Sequence, residues 1–106
     1  MEIKPGIKLA EEKEGFGEKT KIGDFVRVRL NGWLKKGTKI QNEYVGNVLL
    51  GNRNIIPGIE YSIVGMKKSG TRKVMISPHL GYGAKGVKGL IPPAVLVYEI
   101  EVLDIK

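Results

Sequence analysis

The sequence predicts an α+β domain in which a bent antiparallel sheet of five to six strands wraps around one short α-helix. Three observations lead there. Apolar residues alternate with polar ones at period two in 24–34 and again from residue 94 to the C-terminus, which is the mark of half-buried strands. The period changes once, over 56–66, to a helical spacing. Fifteen glycines in 106 residues punctuate the chain into short elements. A single antiparallel sheet buries one face, and one helix is enough to cover it.

Taken in order, residues 7–14, IKLAEEKE, alternate loosely and are expected as a first strand at a sheet edge. In 24–34, DFVRVRLNGWL, the residues Val26, Val28 and Leu30 share one face while Arg27, Arg29 and Asn31 take the other. A turn at 35–37 leads to a hairpin arm at 38–40, and NVLL at 47–50 reads as a separate short strand. In 56–64 Pro57 suits a first helical turn, where its missing N–H is not needed. Ile59, Ile63 and Met66 then recur along one helical face. KKSG at 67–70 is a turn and TRKVMI at 71–76 a strand. Residues 77–93, rich in glycine and proline, form a long ordered loop. In the closing strand Leu96, Tyr98, Ile100 and Val102 share a face. No repeat or linker interrupts the chain, so one domain is expected over 1–106.

Composition narrows the chemistry. There is no cysteine, so disulfides, zinc–thiolate sites and thiol nucleophiles are excluded. That suits a reducing compartment, and a cytoplasmic setting is expected, with a nuclear one open if the source is eukaryotic. No stretch has the length of a membrane span. Eighteen Lys and Arg stand against eleven Asp and Glu, a net charge of +7. Lys67, Lys68, Arg72, Lys73, Lys85 and Lys88 fall between Ser62 and Tyr98 with no acid among them. Such a surface could dock an acidic protein; with no recognition motif and no stacking aromatics, nucleic acid is disfavoured. The plainer reading is a soluble, lysine-rich exterior. GYGAKG at 81–86 matches the dinucleotide fingerprint in letters only, because VKGLIPP follows it and cannot be helix. His79 is the only histidine, and its neighbours in sequence are Pro78 and Leu80. A lone loop histidine without a nucleophile or an orienting carboxylate is most simply solvated. No cofactor and no metal are expected.

What remains is an apolar constellation: Ile55, Ile56 and Ile59 at the helix start, Tyr82 between two glycines, Ile91 before a double proline, and Tyr98 pointing inward. Most such clusters are simply core. Tyr82, flanked by Gly81 and Gly83, is the exception, since a tyrosine in so flexible a setting can present its hydroxyl to a ligand.

These residues carry a resemblance. LG before IIPG, then GMKKSG, ISPHLGYG, IPP and a closing LVYEIEVLDI together resemble the second half of an FKBP-type peptidyl-prolyl cis-trans isomerase. IGDFVRVRLNGWLKKG is similar to that family's central strand and hairpin. The resemblance runs from about Gly6 to Ile105. It implies a peptide or unfolded segment containing proline as substrate, no cofactor, no membrane and a monomer. It implies that Ile56 offers its backbone N–H to a substrate carbonyl and that Tyr82 donates its hydroxyl to the bound peptide. Ile55, Ile59, Ile91 and Tyr98 would form walls and floor, with Leu30, Ile40 and Gln41 alongside. It also implies that the short Gly83–Ile91 segment leaves no room for an inserted chaperone domain.

The departures bear on strength. Ile59 stands where the family has tryptophan, Leu30 where it has tyrosine, Ile40 and Gln41 where it has phenylalanine and aspartate, and Tyr98 where it has phenylalanine. The following loop is about four residues shorter, and an expected phenylalanine falls near Gly46. Aromatic rings bury about 150–250 Å² each, so a wider, flatter pocket with weakened catalysis is expected. The alternative is a drifted binding module that docks a partner through its basic surface.

Overall fold

The structure, a computed structural model, describes residues 2–53, 55–81 and 94–106. Six strands form one antiparallel sheet: β1 (Glu2–Lys4), β2 (Ile7–Lys13), β3 (Phe25–Leu34), β4 (Lys39–Leu49), β5 (Thr71–Ile76) and β6 (Leu96–Ile105), in the spatial order β1-β2-β5-β6-β3-β4. One α-helix, α1 (Pro57–Ile63), packs on the half of the sheet formed by β5, β6 and β1. A single 3-10 turn spans Pro78–Leu80.

Alternation decides which face is inside. Val26, Val28 and Leu30 of β3, Val74 and Ile76 of β5, and Leu96, Tyr98, Ile100 and Val102 of β6 are all buried with Ile59 and Ile63 of the helix. Gly58 brings α1 close, since a Cβ there would collide with the Ile76 side chain. Among the described residues no helix is long and apolar enough to cross a membrane.

Three expectations need correction. The segment at 7–14 is not the edge of the sheet, because Glu2–Lys4 pairs outside it through Glu2↔Lys8 and Lys4↔Ile7. The helix ends at Ile63, and Met66 reaches the core from the turn beyond, its N–H donating to the Ile63 carbonyl at 2.9 Å. The hairpin arm at 38–40 and the strand at 47–50 are one strand, β4, because the short connection has too few residues to leave the sheet and Tyr44 and Val45 keep pairing with Leu30 and Arg29.

Irregularities in β4 set up the geometry that follows. Opposite Leu30 and Gly32 stand Tyr44 and Gln41, so β4 spends three steps where β3 spends two. This is a β-bulge, which reverses the inward–outward parity of the strand beyond it. Glu43 takes the bulged position with φ 43°, and its N–H donates to Asn31 Oδ1 at 2.9 Å. Tyr44, Gly46 and Val48 face inward with Leu30, Val28 and Val26, and the extra residue turns Gln41 inward too, opposite Gly32.

Candidate active site

The inner face of the sheet is shared unequally. The helix covers the β5–β6–β1 half. Leu30, Ile59 and Tyr98 are buried in the core, at 2, 3 and 1% exposure, and half-buried Ile40, Ile55 and Ile56 pack against that same core. All six therefore lie in or border the one core, and Gln41 is hydrogen-bonded to Tyr98. Tyr82 and Ile91, like Pro92, Pro93 and most of the 77–93 loop, lie outside the described residues.

Ile56 is the N-cap of α1. Its backbone is extended at φ −58°, ψ 139°, and its carbonyl accepts the N–H groups of Ile59 at 3.1 Å and Glu60 at 3.3 Å. No side chain caps this helix end. The approach to it is held from below: the buried Glu60 carboxylate accepts the Gly51 N–H, which ties the turn after β4 to the helix. At the other end Thr20 Oγ1 donates to the Ile63 carbonyl at 2.7 Å and accepts the Gly65 N–H at 3.0 Å. Arg72 adds donations to the carbonyls of Ser62 at 2.8 Å and Val64 at 3.3 Å. A two-turn helix has little stability of its own, and these links are what hold its first residues in place.

Tyr98 meets Gln41 across β3. Its hydroxyl donates to Gln41 Oε1 at 2.9 Å. The ring crosses directly over Gly32, which pairs with Tyr98 on one side and Gln41 on the other. A Cβ on Gly32 would stand 2.5 Å from Tyr98 Cζ and 2.6 Å from Cε1. With Oε1 engaged as acceptor, the Gln41 side chain has its NH₂ group to offer as a donor.

Tyr44 was not singled out from the sequence. It lies on the inner face opposite Leu30 and is 46% exposed. A Cβ on Gly46 would meet its Cζ at 2.7 Å and its Cε2 at 2.8 Å, so the ring leans over Gly46. The signal was present: a tyrosine two residues before a glycine, on the same strand face.

His79 is exposed, at the 3-10 turn. Among the described residues no group of three acids and histidines converges as metal ligands. A hollow of about 400 Å³ on the outer face is a charged grid, where Arg29 pairs with Glu101 at 2.7 Å and Lys73 with Glu11 at 3.8 Å. It has neither the apolar lining nor the inner-face position of the residues above.

Comparison with known proteins bears on the fold and on the family. Residues 17–103 match the family model described as FKBP-type peptidyl-prolyl cis-trans isomerase. The chain is 36% identical over 105 residues to an FK506-binding protein of Neisseria meningitidis serogroup B, covering 94% of this chain and 96% of that one. It is 38% identical over 89 residues to the human peptidyl-prolyl cis-trans isomerase FKBP10, covering 79% of this chain and 15% of that one. Among solved structures it is similar to FkpA from Escherichia coli, with 35% identity and a TM-score of 0.78 over 94% of this chain and 47% of that one, so it spans about half that chain's length.

Proposed function

The chain belongs to the FKBP-type peptidyl-prolyl cis-trans isomerases, and from that premise we propose that it turns the bond before proline in flexible or folding chains, without covalent chemistry and with a weaker grip than an aromatic-lined site. The barrier to that rotation is about 18–20 kcal/mol, set by amide resonance, and uncatalysed exchange takes tens to hundreds of seconds. Every ~1.4 kcal/mol removed from it is tenfold in rate. A thousandfold acceleration therefore needs only about 4 kcal/mol, which desolvation of the amide and one or two hydrogen bonds that strengthen on twisting can supply. Neither a nucleophile nor a general base is called for.

The observation that carries this reading is the match of residues 17–103 to the isomerase family, with Leu30, Ile59 and Tyr98 in the core and half-buried Ile40, Ile55 and Ile56 packed against it. Gln41 is held by the Tyr98 hydroxyl. In this reading the Ile56 N–H binds the carbonyl of the twisting amide, Ile55 and Ile59 bound the prolyl ring, and Tyr82 donates to a neighbouring carbonyl. Loss of tryptophan and phenylalanine rings at 59 and 40 weakens the grip on proline and on the macrocyclic inhibitors of the family.

Cis-trans exchange of a proline peptide, followed by NMR without a coupled protease, tests the reading. Wild type should accelerate exchange and Ile56→Asp should abolish the effect, since a carboxylate there repels the incoming carbonyl. No acceleration by wild type at about 100 μM would sink the proposal, because a kcat/KM of about 10⁴ M⁻¹s⁻¹, the low end of the usual range, would add about 1 s⁻¹ there, well above the uncatalysed rate.

A second reading, a drifted module that docks an acidic partner, is favoured by the outer face at the β3–β4 hairpin. There Trp33 is half-buried with Lys39 Nζ 5.1 Å from its ring, and Lys35 and Lys73 line the same hollow. Affinity for such a partner would fade steeply as salt rises.

A further inference from the structure

The helix lies on the inner face of the sheet with Ile59 and Ile63 in the core, and the outer face of such a sheet is ordinarily polar. Arg29 opposite Glu101, and Asn31 opposite Glu99 and then Lys73, keep to that rule. One row departs from it. Strand pairing sets Lys39 opposite Trp33, Trp33 opposite Val97, Val97 opposite Met75 and Met75 opposite Lys8. Neighbours along the strands (Leu34, Leu96, Tyr98, Val74, Ile76 and Ile7) are buried, which puts Trp33, Val97, Met75 and Lys8 on the outer face. Lys39 joins them there, its Nζ 5.1 Å from the Trp33 ring. The row crosses five strands, four spacings of ~4.8 Å or about 19 Å. Its middle is apolar and half-buried, and both of its ends are exposed lysines. A hollow of about 570 Å³ lies at the row, lined also by Lys35 and Lys73. Glu99 is the one acid in that lining, and it stands opposite Lys73. Lys8, Lys35 and Lys39 make no ion pair with any described residue.

We propose that this row docks an extended acidic segment of another protein, with two carboxylates six residues apart and two apolar side chains at alternate positions between them. The inference rests on the second reading above, whose partner it names, and it holds whether or not the inner-face site turns over proline. The spacing follows from the row. Six steps of ~3.3 Å carry an extended chain about 20 Å, enough to set one carboxylate at Lys39 and the other at Lys8. Alternate side chains of such a chain face the same way, so the two between the acids meet Trp33, Val97 and Met75. The segment lies across the strands, so side chains and not backbone pairing make the contact. A basic chain is repelled at both ends. A nucleic-acid backbone would match the lysines and leave the apolar middle unused.

Trp33 is the only tryptophan of the chain, so its emission reports on this row. The probe is a capped, proline-free peptide, Glu-Ser-Leu-Thr-Phe-Ser-Glu, and its control carries Lys at both ends. The acidic peptide should shift the emission saturably, with a Kd below about 1 mM at low salt. Salt at about 300 mM should weaken it severalfold. Lys8→Glu combined with Lys39→Glu should weaken it about tenfold, and that double variant should prefer the Lys-ended peptide. Met75→Gln, with every charge kept, should cost about threefold. Calorimetry measures the same constants without the reporter that Lys39 touches. No saturable binding of the acidic peptide, or equal binding of both peptides by wild type, would overturn the proposal. Capture of phosphatidylserine-containing vesicles in place of the peptide would overturn it too, and would assign the row to a lipid surface. Proline-peptide exchange is the separate readout: its absence in wild type ends the isomerase reading and leaves the docking result standing.

Discussion

Gly32 shows how one missing side chain can organise a site. It sits mid-strand, where glycine is ordinarily a weak choice, yet the Tyr98 ring passes within 2.5 Å of where its Cβ would be. Gly32→Ala should force the ring aside and break its bond to Gln41, costing roughly 1–3 kcal/mol through overpacking. Tyr98→Phe keeps the ring and loses only the hydroxyl, so about 1 kcal/mol is expected. Urea unfolding of the two variants checks the order, and an alanine as mild as the phenylalanine would show that the ring is free to move. The same residues mark a limit of reading by position. The inward positions of Leu30 and Tyr98 were legible from alternation. The link between Tyr98 and Gln41 was not, because strand pairing brings them together and a bulge that local alternation does not encode turns Gln41 inward.

At the scale of the element, what was legible followed from periodicity. The strand at 24–34, the closing strand and the helix at 56–64 each carry a clear apolar face, and each formed with its inward residues as read, except that Met66 reaches the core from the turn after the helix. β4 was split in two because Asn42, Glu43 and Gly46 interrupt the alternation; pairing with β3 overrides that weak local signal. The helix depends most on tertiary contacts, and Glu60 is its main tie to the preceding turn. Glu60→Ala leaves the Gly51 N–H without that partner and should destabilise the protein by about 1–3 kcal/mol. The loss should be local before it is global. Hydrogen exchange in 50–57 should rise more than in β3 or β6, and catalysis should fall with it, since Ile55 and Ile56 stand on that turn. Uniform deprotection of all strands would mean that the carboxylate supports the whole core and not this corner.

The whole molecule is held by an apolar core and decorated by exposed ion pairs, and the two respond differently to acid. Among the described residues six acids pair with Lys or Arg: Glu11, Glu12, Glu14, Asp24, Glu101 and Asp104. A hydrogen bond and the charge of Lys67 hold the Glu14 carboxyl below its usual value. The Lys21 N–H, then its side chain, does the same for Asp24. Carboxyls depressed in the folded state add stability above their unfolded pKa and lose it as pH falls through the folded one. Stability should therefore be level near neutrality and decline below about pH 5. Protonation of the eleven acids would also leave eighteen Lys and Arg charges, plus His79, unopposed, so repulsion deepens the decline. Added salt should recover part of it at low pH by screening that repulsion. Glu14→Gln should flatten the slope while changing little at its acid end. The residues proposed for the site include no carboxylate, amine or imidazole among those described. Its kcat/KM should stay level from about pH 4 to pH 8, even where the urea midpoint has begun to move below about pH 5. An activity profile that bends together with the stability curve would mean that an ionising group outside this cluster governs the reaction.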